Sequence, residues 1–337
     1  MQDGFVKVAA RTPQVRVADV DFNLSACVAE TTDAVRSGAR LVVLPELCVT
    51  GYTCEDLFWQ QSLVKAAERA VASFVQETAS LDALVFVGCP VSVAGKLYNC
   101  AVAVARGHVL GIVPKLSIPT YNEFYEGRHF VAGPLDVTLV DFAGQSGVPF
   151  GARQLFCCES LPDLVVAAEV CEDLWVANPP SIAHAMAGAT VICNLSASNA
   201  VVGKADYRRS LVVGQSARLA CAYVYCSAGW GESTQDVVFS AHDMVAENGS
   251  LLAEGRPFGE QQATSEIDLE LLVGERRRLS TFATAASPEA AGYVRSSFSL
   301  EAAETPLTRW VDPHPFVPDA PQTRAQRCED VVAIQSH

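Results

Sequence analysis

Short apolar runs along the chain alternate with longer segments in which apolar residues recur every three or four positions. The runs that predict buried strands lie at 5–10, 41–44, 83–88, 154–158, 164–170, 190–195 and 222–227. The periodic segments that predict helices lie at 19–37, 56–78, 179–187 and 206–221. The runs at 97–105 and 109–113 predict a hairpin. Alternating strands and helices predict an α/β architecture.

The amino-acid composition of the chain changes near residue 280. Residues 287–304 are rich in small and polar side chains, and five prolines fall between Pro306 and Pro321. This density of proline disfavours a helix or a central strand, so we predict a domain over 1–280 and an extended proline-rich strap or linker over 281–337. Residues 323–335 are helix-like again, whereas 237–273 predict short strands and turns.

The composition argues against several classes of protein. The chain has 337 residues, half of them hydrophobic, which is enough for one large core. The net charge of −14 argues against a nucleic acid or an anionic membrane as partner. No apolar run approaches the roughly 20 residues of a membrane span, and the first residues do not form a signal peptide. We therefore expect a soluble protein.

The twelve cysteines and six histidines do not form a metal or disulfide pattern. Many of the cysteines lie in apolar runs, as Cys193, Cys221 and Cys226 do, and there is no C-x-x-C. Reduced thiols in the cytoplasm fit this usage better than disulfides do. The histidines lack ligand spacing, so we expect no metal site.

Three apolar runs end in residues that carry chemistry. They lead to the carboxylate of Glu46, the ammonium of Lys115 and the thiol of Cys171. Carboxylates alone would raise the pKa of a thiol, so a working thiolate needs a cation and a base nearby. If the three strands lie side by side in one sheet, these side chains meet at its edge. Against this, cysteine is commonly a small core residue, and strands often end in a charge.

The local sequences around these residues resemble the nitrilase superfamily, which cleaves amides and nitriles with a Glu–Lys–Cys triad. The matching segments are L-P-E-L-C-V-T-G-Y at 44–52, P-K at 114–115 and E-V-C-E-D-L-W at 169–175. Within that superfamily the chain most resembles the glutaminase domains of glutamine-dependent NAD synthetases. The further segments are Y-N-E-F-Y-E-G-R-H-F at 121–130, P-P-S at 179–181, N-L-S-A-S at 194–198, G-K-x-x-x-R at 203–208, G-x-G-E-S-T at 229–234 and H-P-F-V-P…R-C-E-D at 314–330.

The resemblance implies a four-layer α-β-β-α sandwich that self-associates, and it implies roles for particular residues. Cys171 is the nucleophile, Glu46 is the general base, and Lys115 stabilises the oxyanion together with a backbone N–H. Glu126 positions the lysine or the base. The positions where the family holds glutamine are Tyr121, Glu172, Ser198 and Lys204. Lys204 replaces an arginine common in related sequences, and Asn199 replaces an expected proline.

One departure from the family is large. The synthetase half carries an S-G-G-x-D-S loop for ATP, which does not occur in these 337 residues. We therefore expect an amide-cleaving half that needs no cofactor, with ATP and magnesium serving only a C-terminal NAD synthetase domain as its partner. Two alternatives remain: a free-standing amidase, such as an ω-amidase or carbamoylase, and a non-catalytic scaffold with a nitrilase fold. No G-x-S-x-G elbow supports serine-hydrolase chemistry.

Overall fold

The protein is described by a computed structural model that covers residues 4–259, 262–282, 288–301 and 303–337. A first sheet has the order β14-β1-β2-β3-β4-β5-β7-β6. Its strands are β1 (Phe5–Ala10), β2 (Leu41–Val43), β3 (Leu84–Val93), β4 (Lys96–Ala105), β5 (His108–Pro114), β6 (Thr138–Phe142), β7 (Gln145–Phe150) and β14 (Ala263–Asp268).

A second sheet has the order β13-β12-β11-β10-β9-β8-β15. Its strands are β8 (Gln154–Cys158), β9 (Val165–Val170), β10 (Val191–Ser196), β11 (Ala222–Ser227), β12 (Met244–Glu247), β13 (Ser250–Glu254) and β15 (Val294–Phe298). The helices are α1 (Val20–Arg36), α2 (Gln61–Glu77), α3 (Pro180–Met186), α4 (Lys204–Leu219), α5 (Leu269–Arg278) and α6 (Pro321–Ser336).

The two sheets pack face to face, with helices on their outer faces. Alternate residues of one strand enter different cores: Leu41 and Val43 of β2 face the second sheet, whereas Val42 faces α1 and α2. The rings of Phe86 and Phe156 meet between the sheets, with their centroids 5.4 Å apart. A third cluster lies under α3 and α4. This layering explains why the strands read as continuous apolar runs, and it confirms the predicted four-layer sandwich.

The three strands that lead to the chemical residues do not lie side by side in one sheet, although their ends do meet. Glu46 follows β2 and Lys115 follows β5, both in the first sheet, but Cys171 follows β9 in the second sheet. Because β2 pairs parallel with β3, and β4 is antiparallel to both β3 and β5, β2 and β5 run in the same direction. The Glu46 N–H donates to the carbonyl of Ser196 at the end of β10, 3.3 Å away. The strand ends of both sheets therefore meet at one edge of the sandwich.

Several elements differ from the sequence prediction. The hairpin of β6 and β7 was not predicted, because β6 is largely exposed and lacks an apolar pattern. Residues 269–273 were expected among short strands but begin α5, whose first turn is capped when Asp268 accepts a hydrogen bond from the Leu271 N–H (2.9 Å). The helix predicted over 56–78 is divided, because a 3₁₀ turn at Glu55–Trp59 precedes α2, which begins at Gln61.

The chain divides into two compact units, Met1–Leu307 and Thr308–His337. The boundary predicted at residue 280 stays a prediction, although β15 lies beyond it and pairs with β8 in the first unit. In the second unit the proline-rich stretch precedes α6, which matches the helix-like segment predicted at 323–335. Among the described residues, no helix combines the length and the apolar character that a membrane crossing requires.

Candidate active site

A fully buried ammonium lies at the centre of the strand-end cluster. Lys115 Nζ donates to Glu46 Oε1 at 2.7 Å and to Glu126 Oε1 at 2.6 Å, and all three side chains are almost completely shielded from solvent. Burial alone would lower the pKa of Lys115, but the two carboxylates outweigh it and raise the pKa well above its usual value. The lysine therefore carries its positive charge inside the protein.

Two neutral side chains hold the carboxylates in place. Asn99 Nδ2 donates to Glu46 Oε1 at 2.6 Å, and the Tyr52 hydroxyl donates to Glu126 Oε1 at 2.8 Å. Burial raises the pKa of Glu126 to about 7, with Lys115 acting against this shift. The sequence prediction missed both neutral residues. A signal existed for Asn99, because it is an amide in the middle of an otherwise apolar strand.

Cys171 occupies a strained position at the first residue of a short 3₁₀ turn, Cys171–Leu174, directly after β9. Its φ of +44° lies in the left-handed region, which costs a residue with a side chain about 1–2 kcal/mol. The turn projects the cysteine out of the strand direction at the edge where Lys115 lies. Backbone strain of this kind persists only where the surrounding structure enforces it.

Asp173 is the residue that enforces this turn. Its buried carboxylate accepts hydrogen bonds from the N–H groups of Val170 (3.1 Å), Leu116 (3.2 Å) and Ser117 (2.8 Å). One carboxylate thus fastens the cysteine turn in one sheet to the chain that follows Lys115 in the other. Asp173 lies within the E-V-C-E-D-L-W segment, but the sequence analysis did not give it a role.

Burial is the largest influence on the Cys171 thiol and raises its pKa well above the ordinary value. The negative charges of Glu46 and Glu126 raise it further, whereas the charge of Lys115 and a backbone hydrogen bond from Ala197 lower it. The resting thiol is therefore protonated and needs a base when it attacks. Glu46 Oε2 is buried and has no hydrogen-bond partner among the described residues, so it is available to take a proton.

The four predicted substrate-binding residues fall into two groups. The Tyr121 hydroxyl donates to Glu172 Oε1 at 2.6 Å. Ser198 and Lys204 are connected through Asn199, whose side-chain oxygen accepts from the Lys204 ammonium. No hydrogen bond joins the two groups within the part of the chain that the structure describes.

The ammonium of Lys204 lies within electrostatic range of Glu172, which belongs to the first group. The charges of Glu123 and Glu172 act on its ammonium, although burial and Arg208 lower its pKa overall. Its Nζ also lies 5.0 Å from the ring centre of Trp175 and 5.6 Å from that of Phe124. A cation, a carboxylate and two hydroxyl groups thus border the side of the site where the thiol lies.

The segment 121–130 is partly a solvated loop and partly a wall of the site. Tyr121 and Tyr125 are half exposed, whereas Glu126 and Phe130 are buried.

Among the residues described here, no group of three His, Cys, Asp or Glu side chains could hold a metal ion.

Comparisons with known proteins agree with this geometry. A family profile described as carbon–nitrogen hydrolase matches residues 7–277. The glutamine-dependent NAD(+) synthetase of Mycobacterium tuberculosis is 40% identical over 341 residues, which is 99% of this chain but 50% of that protein. The chain therefore spans about half the length of this relative. These matches confirm the resemblance inferred from the motifs.

Solved structures give the same result for the fold. A glutamine-dependent NAD(+) synthetase from Cytophaga hutchinsonii superimposes with a TM-score of 0.69 and 27% identity, covering 78% of this chain and 42% of that chain. Saccharomyces cerevisiae Nit3, a member of branch 10 of the nitrilase superfamily, superimposes with a TM-score of 0.63. It is 19% identical and covers 84% of this chain and 97% of that chain, so it supports the fold alone.

Proposed function

Since this chain belongs to the carbon–nitrogen hydrolase family, we propose that it hydrolyses the side-chain amide of glutamine and supplies the ammonia to a synthetase domain. The observation that carries the proposal is the buried Glu46–Lys115–Glu126 cluster at the edge where Cys171 lies. The choice of glutamine is supported by the similarity to NAD synthetases along 99% of the chain. The amidase alternative lacks a comparable observation in its favour.

In the proposed reaction, Cys171 Sγ attacks the amide carbon while Glu46 accepts the thiol proton. Lys115 and a backbone N–H after the cysteine stabilise the negative charge that develops on the amide oxygen. The C–N bond then breaks, Glu46 returns the proton to the departing nitrogen, and ammonia leaves a glutamyl thioester. Water, deprotonated by Glu46, attacks the thioester and releases glutamate, and the proton returns to Cys171.

The substrate-binding residues suit the free amino acid. We infer that the Lys204 ammonium pairs with the α-carboxylate of glutamine and that Glu172, held by Tyr121, pairs with its α-ammonium. Ser198 adds a hydroxyl beside Lys204. The same charges disfavour simple amides, because these leave two partly buried ionic groups without partners.

Partners and location follow from the same proposal. The relatives of about twice this length support a C-terminal synthetase domain that forms NAD from nicotinic acid adenine dinucleotide. ATP and magnesium would serve that domain, and the glutaminase reaction would need no cofactor. We also propose that the chain self-associates, as its superfamily does. We place it in the cytoplasm, since the free thiols of its twelve cysteines fit a reducing compartment.

Ammonia release tests the proposed substrate. Glutamine, asparagine and short ω-amides are compared at equal concentration, and we expect glutamine to exceed asparagine by about 10-fold or more in kcat/KM, because one missing methylene draws the amide away from the thiol. Efficient cleavage of ω-amides with no activity on glutamine would replace the proposal with the free-standing amidase. No activity on any amide would favour the non-catalytic scaffold.

A coupled assay tests the proposed partner. Given ATP, magnesium, nicotinic acid adenine dinucleotide and glutamine, residues 1–337 alone should form no NAD, because they contain no phosphate-binding loop of the expected type. Adding a synthetase domain, fused after His337 or as a separate protein, should produce NAD and raise glutamine cleavage. Free ammonia in place of glutamine is the control for the synthetase. NAD formation by residues 1–337 alone would contradict the division of labour.

Replacing Glu126 tests the positioning role of the second carboxylate. Glu126→Gln should lower kcat by about 10-fold or more, because the amide holds Lys115 and Tyr52 more weakly than a carboxylate does. Since the pKa of Glu126 is raised to about 7, parental kcat should fall as pH decreases through 7 and this carboxylate gains a proton. In the variant that decline should disappear.

The matched control for this prediction is Glu266→Gln. Glu266 is also buried and ion-paired, 2.9 Å from Lys7 Nζ, but it lies on β14 in a different part of the first sheet. The control should keep the decline near pH 7. A decline of unchanged size in Glu126→Gln would assign it to another group.

A further inference from the structure

Arg208, in the first half of α4, is among the largest fully buried side chains of the structure. Its Nη2 donates to Ser198 Oγ at 2.9 Å and to the carbonyl oxygen of Asn199 at 3.0 Å. A guanidinium is costly to bury, so it must be held by acceptors that compensate for the lost water. These contacts fix the backbone and the side chain of the segment that carries Ser198.

The remaining contact of Arg208 defines the state of a histidine. Nη1 lies 3.0 Å from His242 Nδ1, and because a guanidinium can only donate, Nδ1 must be the acceptor. His242 is therefore neutral with its proton on Nε2. That proton is donated to Glu254 Oε1 at 2.5 Å, and the same oxygen accepts from Arg209 Nε at 2.8 Å.

The segment held by Arg208 also orients Lys204. The side-chain oxygen of Asn199 accepts from the Lys204 ammonium, and its nitrogen donates to Glu123. Because Arg208 holds the backbone carbonyl of the same asparagine, a shift of Arg208 would move Ser198 and Asn199 together.

We propose that Arg208 is a positioning residue for the α-amino-acid end of the substrate, and that neutral His242, supported by Glu254, holds it in place. The inference rests on the proposed function, because it assigns Ser198 and Lys204 to glutamine. It predicts an effect on KM rather than on the chemical step, which belongs to Glu46, Lys115 and Cys171.

Protonation of His242 would break this arrangement. A proton on Nδ1 would oppose the N–H of Arg208 and place two cations next to each other in a buried site. The charged groups that act on His242 are Arg208 and Arg209 from α4 and Glu254 from β13. Burial and the arginines lower its pKa, and Glu254 acts against them. The KM for glutamine should therefore rise at acidic pH, below the ordinary histidine value of about 6.5.

Two variants and two substrates test the proposal. His242→Leu removes the acceptor from Arg208, and we expect KM for glutamine to rise about 10-fold, with kcat within about 3-fold of the parent. The kcat/KM for butanamide, which lacks the α-amino-acid group, should stay within about 2-fold. His242→Asn keeps an acceptor near Nδ1 but cannot titrate, so KM should stay near the parental value and its rise at acidic pH should disappear.

His184→Leu is the matched control, because it also removes a buried neutral histidine, one hydrogen-bonded to Tyr293 at 2.7 Å. It should leave KM unchanged. If the parent cleaves glutamine and His242→Leu impairs glutamine and butanamide equally, or changes neither, Arg208 has only a structural role and the inference is overturned. If the parent releases no ammonia from glutamine, the proposed function fails first and the inference falls with it.

Discussion

Cys171→Ala should leave a folded protein whose glutamine hydrolysis is reduced by at least about 10⁴-fold, the scale on which removal of a nucleophile acts. The thiol makes the first new bond to the substrate in the proposed reaction, and the later attack of water requires the thioester that this bond creates. Alanine keeps the Cβ that crowds the backbone at the φ of +44° and removes only one sulfur atom, so the protein should stay folded. Ammonia release and thermal unfolding measure the two effects.

Covalent labelling gives an independent readout of the same assignment. A chloroketone analogue of glutamine should add one equivalent, and peptide mass spectrometry should locate it on Cys171. Because Cys328 is exposed and open to non-specific alkylation, the experiment is best done in a Cys328→Ala background. Cys193→Ala, which alters a buried cysteine of β10, is the control that should keep its labelling. An adduct elsewhere with Cys171 unmodified would refute the assignment.

Lys115→Met should lower kcat by at least about 10²-fold, the usual effect of removing an oxyanion donor. Methionine keeps much of the shape of the side chain but brings no charge to the developing oxyanion. It also leaves Glu46 and Glu126 buried without their common cation, so neither carboxylate keeps the ion pair that holds it in place. The loss should appear in kcat more than in KM.

Stability must be separated from catalysis in this experiment. Lys7→Met is the matched control, because Lys7 also forms a buried ion pair, 2.9 Å from Glu266. Breaking such a pair costs about 3–5 kcal/mol of unfolding free energy, so both variants should unfold more easily. Only Lys115→Met should lose turnover while still folded. A Lys115→Met enzyme within a few-fold of the parent would exclude an oxyanion role for the lysine.

The sequence was sufficient to find the strand ends that carry Glu46, Lys115 and Cys171, because apolar runs and terminal polar residues are local features. It could not show that Cys171 lies in a different sheet from the other two. Strands buried on both faces have the same composition in either sheet, so the pattern carries no information about which strands are neighbours. The resemblance supplied the layered fold that the pattern alone left open.

The residues that hold the catalytic groups in place were harder to predict from the sequence, because their contacts also depend on tertiary structure. Tyr52, Asn99 and Asp173 act through hydrogen bonds to residues 53 to 74 positions away in the chain. Such contacts are set by tertiary packing, and no local spacing encodes them. Arg208 illustrates the same limit, since a basic residue in a polar helix reads as a solvated side chain but is fully buried.

Because the site is divided between two sheets, enzymatic activity depends on the packing of both sheets against each other. Glu46 and Lys115 depend on the first sheet, Cys171 depends on the second, and Asp173 joins the two halves. Neither sheet alone contains a working set of groups, so a chain in which only one sheet had formed would be inactive. Recovery of turnover therefore marks the moment when the sheet faces close, and its time course measures that docking step separately from the formation of secondary structure.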